Sequence, residues 1–263
     1  MREDKRMDSV MNILVTICAR AGSKGVKSKN VRNFCGKPLL YYTLAAYKDF
    51  CENKPEEVND IQLALNTDSQ ELISQMDGTG EDYILIERDQ GLAGDTVAKF
   101  DVIKDTLIKA ENIKHTVFDI VLDLDLTSPI RTWEDIQGTV FALLRDEQAD
   151  ISYSVTEARR SPYFNMVCRK ENCYFGTVME SNVVARQQTP SCYDMNASIY
   201  AYRKEHLMTG TMHKRNAVIW VMWDTGILDI DHEGDLELME VIFRHFVDSD
   251  EKYAKQFGKL VDE

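Results

Sequence analysis

Residues 12–25 read Asn12-Ile13-Leu14-Val15-Thr16-Ile17-Cys18-Ala19, then Arg20-Ala21-Gly22-Ser23-Lys24-Gly25. The first eight are mostly apolar and rich in β-branched side chains, the pattern of a short buried strand. The strand runs into a loop with two glycines, where the backbone is free to turn successive N–H groups toward an anion. Pro38 then opens a helical stretch over residues 39–50, at the position where a missing N–H costs nothing. Strand, glycine loop and helix in that order make the opening unit of an alternating fold.

The alternation continues outward from this unit. Residues 61–65 read as a second strand, and Asp68 or Ser69 with Glu71 marks a helix start. A third strand covers 83–86, and Asp95 is placed to cap a helix reaching about residue 110. Residues 118–124 form a fourth strand, Thr132 and Asp135 a capping box for a helix through Leu144, and 151–155 a further strand. The expected class is α/β, a Rossmann-like domain with a mostly parallel sheet. Between Ser161 and Pro190 the alternation stops. Residues 164–169 and 174–179 flank the polar pair Glu171-Asn172, which predicts an inserted hairpin suited to an interface. Strands resume at 197–202 and 217–222. A last amphipathic helix sets Leu236, Met239, Phe243 and Phe246 on one face, as core.

The chain has 263 residues, 44% hydrophobic and 29% charged, enough for one large domain with a modest insertion. No run of about 18 apolar residues is present, so no membrane span is expected. The amino terminus MREDKRMDSV reads as a polar lead-in without a secretory core. Six cysteines form no CxxC pair, the usage of reduced thiols in the cytoplasm. A net charge of −13 excludes broad nucleic-acid binding. Within that acidic chain no acidic residue stands between Asp8 and Asp49, where Arg20, Lys24, Lys27, Lys29, Arg32 and Lys37 all fall. This one basic segment is either a solvated face or the seat of a small anion.

Two common phosphate loops are absent. A Walker A loop needs GxxxxGK[ST], but Val31 stands five positions before Gly36 and Pro38 follows Lys37; GxGxxG is missing as well. Near the other end, Asp229 and Asp231 are spaced to put both carboxylates on one face of an extended segment. That is a pair of hard oxygen donors for Mg²⁺, or else a helix-capping acid and its neighbour. The five histidines are scattered, with His232 beside the aspartate pair.

The motif Ala19-Arg20-Ala21-Gly22-Ser23-Lys24-Gly25, closed by Lys29-Asn30 and followed by Gly36-Lys37-Pro38-Leu39-Leu40, resembles the acylneuraminate cytidylyltransferase family. Thr127-Ser128-Pro129-Ile130-Arg131, Arg186-Gln187-Gln188, Asn196 in DMNASIY, and Asp229-Ile230-Asp231 with Asp235 are similar to its later motifs, in order over most of the chain. The resemblance implies a nucleotidyltransferase domain over 11–156 and 191–250, and a homodimerisation element over 157–190. It implies CTP phosphates on Arg20, Ser23, Lys24 and Lys29, and cytidine on Asn30 and Arg88. Mg²⁺ would sit on Asp229 and Asp231. Arg186 would meet the carboxylate of a nine-carbon acidic sugar, with Gln187, Gln188, Asn196 and Tyr200 bonding its hydroxyl and acyl groups. The sugar's anomeric hydroxyl would attack the α-phosphorus and pyrophosphate would leave. Arg20 and Lys24 would stabilise the departing oxygens, and Asp231 would receive the proton.

Departures from the family pattern narrow the substrate. Asp125-Leu126 stands where the sialic acid enzymes carry Gln-Pro, and Asp194-Met195 where they often carry Arg-Pro. These and the stretches around Arg159–Asn165 and Cys192–Asn196 look closer to the legionaminic acid branch. Sialic and pseudaminic acids are the alternatives. Arg186-Gln187-Gln188 and DMNASIY argue against the eight-carbon acid of lipopolysaccharide, and the aspartate pair argues against a non-catalytic sugar-nucleotide sensor.

Overall fold

The computed structural model describes residues 10–22, 26, 28–94, 97–210, 216–223 and 229–261. Strand β1 (Met11–Cys18) is an interior strand of the main sheet, and Ile13, Leu14, Val15 and Ile17 are fully buried. It pairs in parallel with β4 (Val58–Thr67) on one side and β6 (Ile120–Leu124) on the other. A strand covered on both faces has no polar side, which explains why its side chains are apolar apart from Asn12 and the buried Thr16.

Between β1 and β4 lie β2 (Asn33–Phe34) and β3 (Lys37–Pro38), a two-stranded hairpin, and helix α1 (Leu39–Glu52). The hairpin turns through Cys35 at φ 45° and Gly36 at φ 88°. Left-handed geometry at both central residues matches the twist of a two-residue hairpin. Helix α2 (Gln70–Asp77) and strand β5 (Ile84–Glu87) follow β4, and Ser69 caps α2 by accepting from the Leu72 N–H at 3.2 Å. Asp95 lies outside the described residues; α3 spans Lys99–Lys114. The expected capping box opens α4 (Trp133–Arg145), with the Asp135 carboxylate accepting from the Thr132 N–H and hydroxyl, both at 2.9 Å.

Strand β7 (Ile151–Glu157) precedes the hairpin β8 (Val167–Arg169) and β9 (Phe175–Thr177), which forms a sheet of its own. The chain returns through β10 (Tyr193–Arg203), α5 (Lys204–Thr209), β11 (Ala217–Val221) and α6 (Glu233–Ser249). The seven-stranded sheet has the order β11-β7-β10-β6-β1-β4-β5, and β10 alone runs antiparallel to its neighbours. Leu236, Met239 and Phe243 of α6 are buried as the periodicity requires, and Phe246 packs at the margin. An unanticipated helix, α7 (Glu251–Val261), adds Tyr253 and Phe257 to the same core and carries the domain beyond residue 250.

Alternate side chains of β1 divide the interior. Ile13, Val15 and Ile17 join α1, α4, α6 and α7 on one face, while Leu14 joins Phe100, Ile103 and Leu107 of α3 on the other. The chain therefore builds outward from β1 through β4 and β5, then crosses to the opposite face with α3 and places β6 on the far side of β1. The strand order reverses between β1 and β6. A crevice opens at the carboxyl ends of the strands at such a reversal, because the following loops part in opposite directions.

Candidate active site

A cleft of about 310 Å³ lies at this reversal, lined by residues at or just beyond the ends of β1, β5 and β6 and by the entry to α3. Arg20, Lys29, Asn30, Arg88 and Asp229, five residues singled out in the sequence, meet there. Ser23 and Lys24 fall outside the described residues.

The loop after β1 is tied to its surroundings at several points. The Ala19 N–H donates to the Asn66 carbonyl at 3.1 Å and the Ala21 N–H to the Asp68 carboxylate at 2.6 Å. The Asn30 amide donates back to the Arg20 carbonyl at 3.0 Å, closing the far end of the loop onto its start. Arg20 itself donates to the Ala93 carbonyl at 3.3 Å. Arg88 is locked by two bonds to Asn66, to its side-chain oxygen at 2.8 Å and its carbonyl at 3.0 Å. Cys18 also lines the cleft, but burial pushes its thiol up to about 12, so it stays protonated.

The floor contains a charge network that the motif reading overlooked. Lys99, the first residue of α3, contacts the Asp123 carboxylate at 2.7 Å and the Asp125 carboxylate at 2.6 Å. Asp123 is fully buried and also accepts from the Thr16 hydroxyl at 2.8 Å. Burial opposes charge on Lys99, yet the two carboxylates hold it well above the usual lysine range. Burial likewise works against ionised Asp125, but Lys99 and the Thr127 donors hold that carboxyl below the usual range. The signal was present in the sequence: Asp123 stands inside an apolar strand and Asp125 directly after it, and a buried acid requires a cation.

From Asp125 the network continues to the aspartate pair. The Thr127 N–H and hydroxyl lie 3.1 and 2.9 Å from Asp125 Oδ1, and the same hydroxyl is 2.5 Å from Asp229 Oδ1. Burial raises the Asp229 carboxyl, partly countered by Thr127. Lys29 reaches both expected metal ligands, at 3.5 Å from Asp229 and 3.2 Å from Asp231. Asp231 stands at the rim, its side chain 69% exposed. Asp235 fixes the turn by accepting from the N–H groups of Asp231 and His232, at 2.9 and 2.6 Å. Among the described residues no group of three or more His, Cys, Asp or Glu side chains forms a metal site.

Arg131 of the Thr-Ser-Pro segment is fully buried, and burial lowers its guanidinium to about 10. It donates to the carbonyls of Asp125, Ser128 and Ser198, holding the loop after β6 against β10.

The expected sugar contacts are not gathered in this cleft. Arg186 and Gln187 line a second cleft of about 440 Å³ with Glu157, Arg160 and Tyr193, which shares no lining residue with the first. The Arg186 guanidinium donates to the Ala158 carbonyl at 2.8 Å. Gln188 instead accepts from the N–H groups of Val184 and Ala185, at 3.1 and 3.3 Å. The Asn196 side-chain oxygen accepts from the Ser154 hydroxyl at 2.7 Å, stabilising the irregularity in β10. Tyr200 stacks on Tyr202 with centroids 6.3 Å apart.

A mostly parallel sheet with a cationic cleft at its strand reversal and an aspartate pair at the rim defines a nucleotidyltransferase of the α/β class. A cytidylyltransferase family model matches residues 14–246, and the chain belongs to that family. The post-translational flagellin modification protein B of Campylobacter coli is 33% identical over 88% of this chain and 95% of its own length. The CMP-N,N'-diacetyllegionaminic acid synthase of Campylobacter jejuni is also 33% identical, over 88% of this chain and 94% of its own. Among solved structures, a CMP:2-keto-3-deoxy-manno-octonic acid synthetase complexed with CTP superposes with a TM-score of 0.63, covering 89% of this chain and 99% of the other. At 16% identity that likeness speaks for the fold alone.

Proposed function

We propose that the protein transfers CMP from CTP to the anomeric hydroxyl of a nine-carbon acidic sugar of the legionaminic kind, with release of pyrophosphate. The observation that carries this reading is the cleft itself: Arg20, Lys29 and Arg88 face a space into which Asp229 opens. A triphosphate is the ligand that such a concentration of directed cations favours. The 33% identity to a CMP-N,N'-diacetyllegionaminic acid synthase supports the choice of sugar.

The donor set fits a divalent cation. Asp229 and Asp231 already share one positive group, the Lys29 ammonium, and hard carboxylate oxygens beside a triphosphate suit Mg²⁺. Once bound there, Mg²⁺ would neutralise charge developing on the phosphates. Arg20 and Lys24 would stabilise the leaving oxygens, Asn30 and Arg88 would hold the cytidine end, and Ser23 would contact phosphate. Asp231, exposed at the rim, would receive the hydroxyl proton. Arg186 and Gln187 would take the sugar carboxylate and a hydroxyl in the second cleft, while Gln188, Asn196 and Tyr200, which bond elsewhere, would support the surrounding backbone and sheet.

Residues 157–190 would serve as the dimerisation element between the two parts of the nucleotidyltransferase domain, 11–156 and 191–250 with α7. Tyr174, Phe175 and Val184 are 76%, 72% and 83% exposed, an apolar surface that a second copy would cover. No described helix is long and apolar enough to cross a membrane, and all six cysteines are unpaired, which supports a reducing cytoplasm.

The test is pyrophosphate release from CTP with Mg²⁺ and legionaminic, sialic, pseudaminic or the eight-carbon acid. Release with legionaminic acid, lost in Asp231→Asn, is the expected outcome. Preference for another nine-carbon acid would correct the substrate. CTP binding without release from any acid would leave a nucleotide-binding protein and sink the enzymatic proposal.

A further inference from the structure

The acid-free segment and the acidic end of the chain neutralise one another across the cleft. Lys29 spans Asp229 and Asp231, and the Arg32 guanidinium grips Glu233 at 3.2 and 2.8 Å. The two pairings differ in setting. The Lys29 side chain is only 16% exposed and lines the cleft, whereas Arg32 and Glu233 are 38% and 59% exposed beside it. The Thr127 hydroxyl also touches Asp229, and the Asp235 carboxylate fixes the Asp231 backbone.

We infer that Lys29 is a placeholder cation, which holds Asp229 and Asp231 together before metal and CTP bind and passes to the triphosphate when they enter. A divalent cation held by these carboxylates would lie within a few ångströms of the Lys29 ammonium, and the two like charges would repel. Lys29 therefore opposes metal alone. A triphosphate gives the ammonium a second anion at the same spot, and the opposition ends. One side chain thus couples metal and nucleotide affinity, with the reciprocity that linkage demands. This rests on the reading of Asp229 and Asp231 as metal ligands.

The experiment is Mn²⁺ binding by the full-length protein without nucleotide, followed by electron paramagnetic resonance. Lys29→Met should bind Mn²⁺ about thirtyfold more tightly, the effect of removing one unit charge about 4 Å from a divalent cation in a water-like dielectric. Lys29→Gln is the second variant should the first fail to fold. Arg32→Gln loses the same charge while leaving Lys29 in place, and should move the affinity much less. Unchanged or weaker binding by the Lys29 variants, or equal tightening by Arg32→Gln, overturns the proposal. Retention of Mn²⁺ by Asp231→Asn would instead overturn the metal assignment. In the unmodified protein, acetylation of Lys29 read by mass spectrometry should quicken with Mn²⁺ and slow again with CTP. A rate indifferent to Mn²⁺ also refutes the placeholder role.

Discussion

Replacing Lys99 by methionine tests the floor of the cleft. The substitution keeps most of the side-chain volume and removes the ammonium that lies 2.7 Å from Asp123 and 2.6 Å from Asp125. Asp123 is fully buried, so its charge would lose its cation without gaining water. Breaking a fully buried pair costs about 3–5 kcal/mol. The Lys99 side chain is 31% exposed to the cleft, and solvent screening reduces the expectation to about 2–3 kcal/mol. For a chain of this size that is a fall in Tm of about 4–12 °C.

Urea unfolding followed by circular dichroism measures the loss directly. The pH dependence provides the sign. In the parent protein Asp125 is held low, so its contribution is present above the unfolded carboxylate value of about 3.9 and is lost as pH falls through the folded value. In Lys99→Met the Asp125 carboxyl loses the cation that held it low, burial then raises its folded value, and proton uptake restores stability as pH falls. The gap between the proteins should therefore narrow from about pH 7 to about pH 5. Adding Asp123→Asn to Lys99→Met should recover at least half of the loss. A loss under about 1 kcal/mol, or a gap that does not change with pH, would refute the reasoning.

Two further substitutions probe the scaffold. A Cβ on Gly138 of α4 would fall 2.3 Å from Cε2 of Trp220, whose indole N–H donates to Asp135 at 3.1 Å. Gly138→Ala should cost about 1–3 kcal/mol by calorimetry, and an unchanged Tm would show that the helix and β11 separate freely. Arg131→Met would strip donors from the buried carbonyls around Ser128 and Ser198; a loss of about 3 kcal/mol in urea unfolding is expected, and a neutral result would mean that water replaces the guanidinium.

Much of the architecture was legible because it follows from local rules. The run 12–19 could be read as a buried strand, Ser69 and the Thr132–Asp135 pair could be read as helix starts, and the polar turn at Glu171-Asn172 marked the hairpin. Helix α7 escaped because its two buried aromatics, Tyr253 and Phe257, lie four apart within a polar stretch. Their burial depends on Tyr42 and Phe243, whose rings pack around Phe257 at centroid distances of 6.2 and 5.2 Å.

The site divides in the same way. Residue types and order along the chain pointed by themselves to an anion loop and a pair of hard oxygen donors, because the backbone freedom of glycine and the hardness of carboxylate oxygen are local properties, and the resemblance of those motifs to a known family linked them to nucleotide transfer. Only the tertiary structure decided that Lys29 lies between aspartates 200 and 202 residues away, and that Lys99 bridges Asp123 and Asp125. It also put Arg186 and Gln187 in a cleft apart from Arg20 and Arg88. The physical reason is that charge pairing acts through space. Which cation meets which carboxylate is set by the strand reversal at β1 and β6, and no spacing along the chain records it.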